Sequence, residues 1–257
     1  MLFFRRKFGP QPLVKFVVAG TQKGGTTALD KYLRGHKGIL MAARKEAHFF
    51  DTEKHFKNCT PDYSIYHSLF RGVPRGRLVG ESTPIYMYWK DAVPRIKEYN
   101  PRMKLIMTLR NPIDRAFSGW NMERERGRDE LSFWDAIQGE EDRCAAGDLK
   151  QNKIFSYTDR GLYAQQLKWI WKFFPKNQTH VIKSEDLRNE ANSTLQGISK
   201  FLRIEPFEND IKEKTVHARS YTTQMSEQER DFLRTKFRTD IRELESLLGW
   251  DCSEWLK

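Results

Sequence analysis

With 257 residues and 45 Lys and Arg against 34 Asp and Glu, the chain carries a formal charge of +11 and buries one substantial core. Three cysteines, odd in number and widely spaced, exclude a complete disulfide framework and argue against a zinc cluster, and no run reaches the ~20 apolar residues that span a bilayer. The charge suits an anionic partner: a phosphorylated cofactor, an acidic polysaccharide, nucleic acid or a membrane surface. Basic residues are scattered and no zinc-finger or RNA-recognition signature is present, so neither nucleic acid nor stable membrane insertion is expected. No linker, repeat or low-complexity tract divides the chain, which reads as a short segment at 1–12 followed by one domain over 13–257.

The first element is the run VKFVVAG from Val14, a β-type stretch that empties into the loop TQKGG and a helix from about Thr26. Gly20, Gly24 and Gly25 let the backbone bend and approach a ligand closely. Thr26 and Thr27 are expected to cap a helix whose positive end favours an anion, and Lys23 adds a mobile cation. The nucleotide triphosphatase pattern places its lysine after the last glycine and directly before Ser or Thr; here the lysine precedes the glycine pair. The hydroxyl that would carry Mg²⁺ is missing from its usual position, so the expectation is an anion held without a metal.

Next comes KEAHFFDTEKHF, a polar and aromatic loop with no clean period. RLVGESTPIYMYW reads as a second strand ending near Gly80, a turn at Pro84 and an aromatic-rich helix. MKLIMTLRNP is a third buried strand that stops at Arg110 before Pro112 starts a helix. A helix is predicted over 132–147 from Ser132, and GLYAQQLKWIWKFF is an amphipathic helix leading through Pro175 into a fourth strand, THVIKSEDL. Phe232, Phe237, Ile241, Leu244 and Leu248 then recur at helical spacing. Alternating strands and helices predict a single-domain α/β fold with a central, mostly parallel β-sheet flanked by helices and a P-loop-like strand-loop-helix. In such a sheet the first loop, Glu81 and Arg110 all fall beyond the C-terminal strand ends, where ligands bind.

These segments together resemble the P-loop-like sulfotransferases that use 3'-phosphoadenosine-5'-phosphosulfate, most closely the heparan-sulfate-type and bacterial carbohydrate branch. TQKGGTTAL resembles the family's 5'-phosphosulfate loop, LRNPIDRAFSGW its 3'-phosphate motif, KEAHFFD the catalytic loop of the heparan-sulfate branch, and RGLYAQQLKWIWKFF a helix of that branch. The resemblance implies that Lys23, Gly24, Gly25, Thr26 and Thr27 hold the 5'-phosphosulfate, and that Arg110 and Ser118 hold the 3'-phosphate. Tyr163, Lys214 and Arg219 are further expected neighbours of the nucleotide. Glu46 is the expected general base, with Lys23 stabilising the leaving phosphate; His48 competes with Glu46 for the proton, since an imidazole can do the same work.

The expected acceptor is a carbohydrate or small molecule with a free hydroxyl, less readily an amine, met by Lys45, Asp51, Glu81, Tyr86 and Trp89. The same aromatics are also what a core would use. Two other classes stay open: a kinase-like phosphotransferase using ATP and Mg²⁺, and a basic nucleic-acid-binding protein. The N-terminal MLFFRRKFG is too short and basic for a secretion signal, which predicts a cytoplasmic enzyme with incidental Asn-x-Ser/Thr sites at Asn58, Asn177 and Asn192. A fragment of a membrane-anchored Golgi enzyme would give those sites meaning.

Overall fold

The computed structural model describes residues 13–57, 60–70, 72, 74, 76–145, 151–208 and 223–257. Five strands, β1 (Phe16–Gly20), β2 (Ile39–Met41), β3 (Leu78–Ser82), β4 (Lys104–Leu109) and β5 (Thr179–Lys183), form one sheet in the order β2-β3-β1-β4-β5. Every adjacent pair is parallel. After β3 the chain crosses from one side of β1 to the other to enter β4, so the order reverses around β1, where a parallel sheet leaves a crevice at its C-terminal edge.

Alternation along the strands supplies both faces of the core. Phe16 and Val18 of β1 and Ile106 of β4 face Leu29 and Leu33 of α1 (Thr26–Gly35), with Leu187 and Leu195 packed in the same cluster. Val17, Ala19, Leu105, Met107 and Leu109 face the opposite way. They pack in the cluster that includes α3 (Ala92–Tyr99), α4 (Pro112–Glu125), α7 (Tyr163–Trp171) and α10 (Glu227–Leu248). The remaining helices are α2 (Ser64–His67), α5 (Phe133–Gln138), α6 (Glu140–Ala145), α8 (Ser184–Asn189) and α9 (Ala191–Leu202). α10 begins with a full capping box, Ser226 and Glu229 bonding each other's backbone, and buries Phe237, Ile241 and Leu244 as their spacing predicts. Asp240 of that helix accepts the backbone N–H groups of Ala164 (3.0 Å) and Gln165 (3.3 Å), so a carboxylate from the end of the chain caps α7.

The structure departs from the sequence reading in several places, among them the fourth strand, which ends at Lys183 before α8 instead of running through THVIKSEDL. β3 runs two residues past Gly80, to Ser82. The residues after Pro84 form successive turns rather than an aromatic-rich helix, because the N–H of Met87 is drawn to Ala19 O at the end of β1 (2.8 Å). The helix predicted over 132–147 is two short ones, with Ser132 capping the first as expected and Gly139 separating them; residues 146 and 147 lie outside the described set. β2, a three-residue edge strand, is too short to leave a periodic signal. Among the described residues Cys144 and Cys252 are free thiols, both buried.

Candidate active site

The loop after β1 is shaped by backbone contacts. Thr21 N donates to Thr108 O on β4 (2.9 Å), and Gly24 N donates back to Thr21 O (3.0 Å). A Cβ at Gly24 would lie 2.5 Å from Thr108 O, so no side chain fits between the loop and β4. Gly25, at φ 93°, is the residue that turns into α1. The cap expected from Thr26 and Thr27 is absent: they are the first two helical residues, and the N-cap residue, Gly25, has no side chain with which to cap α1. That leaves the first N–H groups of the helix to a ligand or to water, which is the arrangement an anion site needs.

Lys23 sits at the tip of this loop with φ 68°, a left-handed conformation costing roughly 1–2 kcal/mol for a residue with a Cβ. Its carbonyl receives a long hydrogen bond from Arg110 Nη1 (3.5 Å), which brings the end of β4 against the loop. The Arg110 carbonyl accepts from the buried Tyr163 hydroxyl (2.9 Å), so Tyr163 holds the arginine's backbone. Asn111 caps α4 by accepting from Ile113 N (3.0 Å), Pro112 starts the helix as expected, and Ser118 lies buried within it. Arg160, only 2% exposed, donates to Gln22 Oε1 in the loop (2.5 Å) and to Lys153 O (2.6 Å). Among the described residues its buried Nε finds no hydrogen-bond partner.

Across the crevice the segment after β2 is held by side chains. Glu46 (φ 62°) and His48 (φ 52°) are again left-handed. Glu46 N donates to Ser82 O at the end of β3 (2.9 Å), and the hydroxyl of Tyr86 accepts Phe49 N (3.0 Å) and Phe50 N (3.4 Å). The Glu46 carboxylate lies 2.6 Å from Lys45 Nζ through one oxygen and 3.5 Å from His48 Nε2 through the other. His48 Nδ1 lies 3.0 Å from buried Asp51, whose carboxylate also accepts from Lys153 Nζ (2.8 Å). The hydrogen bond with His48 holds the Glu46 carboxyl down to about 2, against burial and with help from Lys45. Asp51, then Glu46, push His48 up to about 9, so the imidazole is protonated at neutral pH. Burial raises the Asp51 carboxyl, but the hydrogen bonds from His48 and Lys153 outweigh it and the net direction is down.

A cleft of about 280 Å³ connects the two walls, lined by Gln22 of the loop, Glu46 and His48, Pro84 and Ile85 after β3, and Glu123, Arg126, Arg128 and Lys153. The structure therefore brings Glu46 and His48 into one cleft with the loop that carries Lys23, and sets Lys45 and Asp51 beside them. Three expected acceptor contacts fall elsewhere. Glu81 is fully buried, receiving Thr83 Oγ1 (2.6 Å) and the Tyr66 hydroxyl (3.1 Å), and burial pushes its carboxyl up to about 7. The Tyr86 ring is in the core and its hydroxyl braces the Glu46 segment. Trp89 is 9% exposed, its N–H donates to Glu53 (3.1 Å), and the ammonium of Lys153 covers its ring at 4.8 Å. Tyr86 and Trp89 are buried among core aromatics. Lys214 and Arg219 lie outside the described residues.

Sequence reasoning passed over Gln22, Lys153, Glu123, Arg126 and Arg128. The last three sit in the run MERERGR, whose charge is the only local signal and is the same signal a solvated helix end gives.

A membrane-associated sulfotransferase, kil1, of Dictyostelium discoideum is 24% identical over 93% of this chain and 66% of its own length. Heparan sulfate glucosamine 3-O-sulfotransferase 3B1 of Mus musculus is 28% identical over 76% of this chain and 47% of its own, so the chain spans about half of that relative. The crystal structure of a sulfotransferase from Alicyclobacillus acidocaldarius matches with a TM-score of 0.79 and 29% identity, covering 95% of this chain and 99% of that one. The sulfotransferase domain model matches residues 14–242, and the chain therefore belongs to the sulfotransferase family.

Proposed function

We propose that this protein transfers a sulfuryl group to a hydroxyl of a carbohydrate-type acceptor, with 3'-phosphoadenosine-5'-phosphosulfate as donor and Glu46 as general base. The loop fits such a donor: Gly24 leaves no room for a Cβ, α1 starts without a side-chain cap, and Lys23 and Arg110 supply positive charge beside it. When bound, the donor supplies the sulfuryl group and leaves as 3'-phosphoadenosine-5'-phosphate. The backbone of Gly24, Gly25, Thr26 and Thr27 and the Lys23 ammonium hold its 5' end, and Arg110 and Ser118 hold the 3'-phosphate. Lys23 follows the negative charge that grows on the departing oxygen, which is stabilisation specific to the transition state.

The observation that carries the assignment of the base is the state of the pair Glu46 and His48. His48 already holds its proton, fixed between Asp51 and Glu46, and has no lone pair to offer at neutral pH. Glu46 is ionised and lines the cleft. A carboxylate held near 2 is a weak base in the free enzyme, so an entering hydroxyl gains from displacing Lys45 or His48 from it, which raises its proton affinity where it is needed. Protonated His48 then stays beside the reacting oxygens as a positive hydrogen-bond donor.

Thermal denaturation in EDTA tests the donor. At 3'-phosphoadenosine-5'-phosphate near 100 times its dissociation constant, stabilisation of about 2.7 kcal/mol is expected. Stabilisation only by ATP with Mg²⁺ would overturn the reading and restore the kinase alternative. Turnover is read by mass spectrometry of saccharide acceptors with labelled donor.

A further inference from the structure

Arg160 is a buried cation that the proposed reaction leaves unused. It sits on the short turn Asp159–Gly161 that leads into α7, and its guanidinium donates to three neutral oxygens: Gln22 Oε1 (2.5 Å), Lys153 O (2.6 Å) and Asn152 O (3.2 Å). A guanidinium buried against neutral partners keeps its full charge, which costs more than burying it beside a carboxylate. The three oxygens belong to two separate parts of the site. Gln22 is in the glycine loop, next to Lys23; Asn152 and Lys153 belong to the segment that reaches the opposite wall. There Lys153 Nζ donates to the carbonyl and the carboxylate of Asp51, which holds His48 beside Glu46. One line of contacts therefore runs from Gln22 through Arg160, Lys153, Asp51 and His48 to Glu46.

The supports of this line are fixed from several sides. Glu140, 2% exposed, accepts Thr158 N (2.6 Å) and Asp159 N (2.7 Å), which holds the turn that carries Arg160. A Cβ at Gly161 would lie 2.6 Å from the Phe237 ring, so the same turn packs directly on α10. Gln151 donates to Tyr88 O (2.7 Å) and accepts Lys90 N (3.1 Å), which ties the other end of the segment to the turns after β3. The Tyr88 ring lies 5.0 Å from the Arg160 guanidinium.

Satisfying loop carbonyls takes only a neutral donor such as Asn or Gln. A planar fork that spans two segments does something further: it sets the distance between them. Transfer between groups on opposite walls is sensitive to that distance, since a misplacement of about 1 Å made far from the chemistry costs about 10²-fold in rate. Resting on the sulfotransfer reading above, we infer that Arg160 is a positioning residue for the reaction. It holds the glycine loop and the Glu46 segment at the separation that in-line transfer requires, acting through Gln22 on one side and Lys153 on the other.

Two substitutions test this in the full chain without emptying the buried site of Arg160. Gln22→Met keeps the bulk of the side chain and removes the oxygen that Arg160 grips; Lys153→Met releases Asp51. In Gln22→Met, kcat is expected to fall about tenfold or more, while the acceptor KM and the response to 3'-phosphoadenosine-5'-phosphate each change less than about threefold. In the double variant the loss is smaller, by about threefold or more, than the product of the two single losses, because either substitution breaks the same strut. A readout that needs no turnover is the His48 imidazole, followed by NMR without donor. Loosening Lys153 leaves more of the Asp51 charge to His48, so Gln22→Met is expected to raise its proton affinity about threefold. Unchanged kcat in Gln22→Met, single losses that multiply in the double variant, or a His48 titration indifferent to Gln22→Met overturns the inference. Failure of the sulfotransfer reading would appear separately, as a missing response to 3'-phosphoadenosine-5'-phosphate in a protein whose His48 still answers to Gln22→Met.

Discussion

The loop of residues 20–27 and the segment of residues 45–51 face each other across one cleft, yet they keep their shapes by different means. The first is built from main chain: bonds between Thr21, Gly24 and Thr108, glycines where a Cβ would collide, and an uncapped helix start. The second is built from side chains, with Glu46, His48, Asp51 and Lys153 in one chain of ion pairs that joins positions 102 residues apart in sequence. A backbone-built loop tolerates few substitutions at its glycines. A side-chain-built site can be retuned one residue at a time, which suits the part that meets a variable acceptor.

If that division is right, the two walls separate under mutation. The largest expected effect is on turnover in Glu46→Gln, a fall of about 10²- to 10⁴-fold, the range of general base catalysis, while 3'-phosphoadenosine-5'-phosphate still raises the melting temperature. The pH profile sharpens it. With Glu46 held near 2 and His48 near 9, kcat/KM is expected to stay level from pH 5 to 8 as far as these groups are concerned. A rate that climbs through pH 9 and is lost in His48→Ala would move the base to the histidine.

Next in size is Gly24→Ala, which drives a Cβ into Thr108 O and is expected to abolish nucleotide stabilisation and cost about 1–3 kcal/mol in denaturant unfolding. Retained nucleotide binding in this variant would break the claim that the donor wall is a close-packed backbone site. A smaller effect, about tenfold in kcat with nucleotide binding intact, is expected for Asp51→Asn. This substitution removes the largest influence raising His48, so the histidine should titrate below 9, measurable by NMR of the imidazole.

The smallest expected effect concerns Glu81. Its carboxyl is raised from 4.5 to about 7 in the folded protein, so the native state binds more protons than the unfolded chain between those values and stability falls as pH rises through that window. Glu81→Gln should flatten this slope with little change in turnover, as expected of a buried support beneath the cleft. A large loss of turnover at unchanged stability would return Glu81 to the acceptor site.

Legibility followed the same division. The glycine loop after β1 and the Arg110–Pro112 junction could be read from consecutive residues, because glycine placement, strand patterning and a proline at the start of a helix are local properties. The stretch from Tyr86 to Trp89 reads as a helix, and as either core or acceptor contact, because nothing local announces that Met87 N bonds to Ala19 or that Lys153 covers Trp89. Lys153 itself could not be found in advance: its partner Asp51 is remote in sequence and the residues around it resemble an ordinary loop.

The sequence by itself determined the α/β order of elements and the glycine loop with its displaced lysine. Those depend on spacing within a few residues. Only the tertiary structure shows His48 set between Asp51 and Glu46, Tyr86 and Trp89 buried, and the end of α4 lining the same cleft as Glu46. Each of these depends on burial and on charges brought together by sheet topology, and neither is a property of any short stretch of chain.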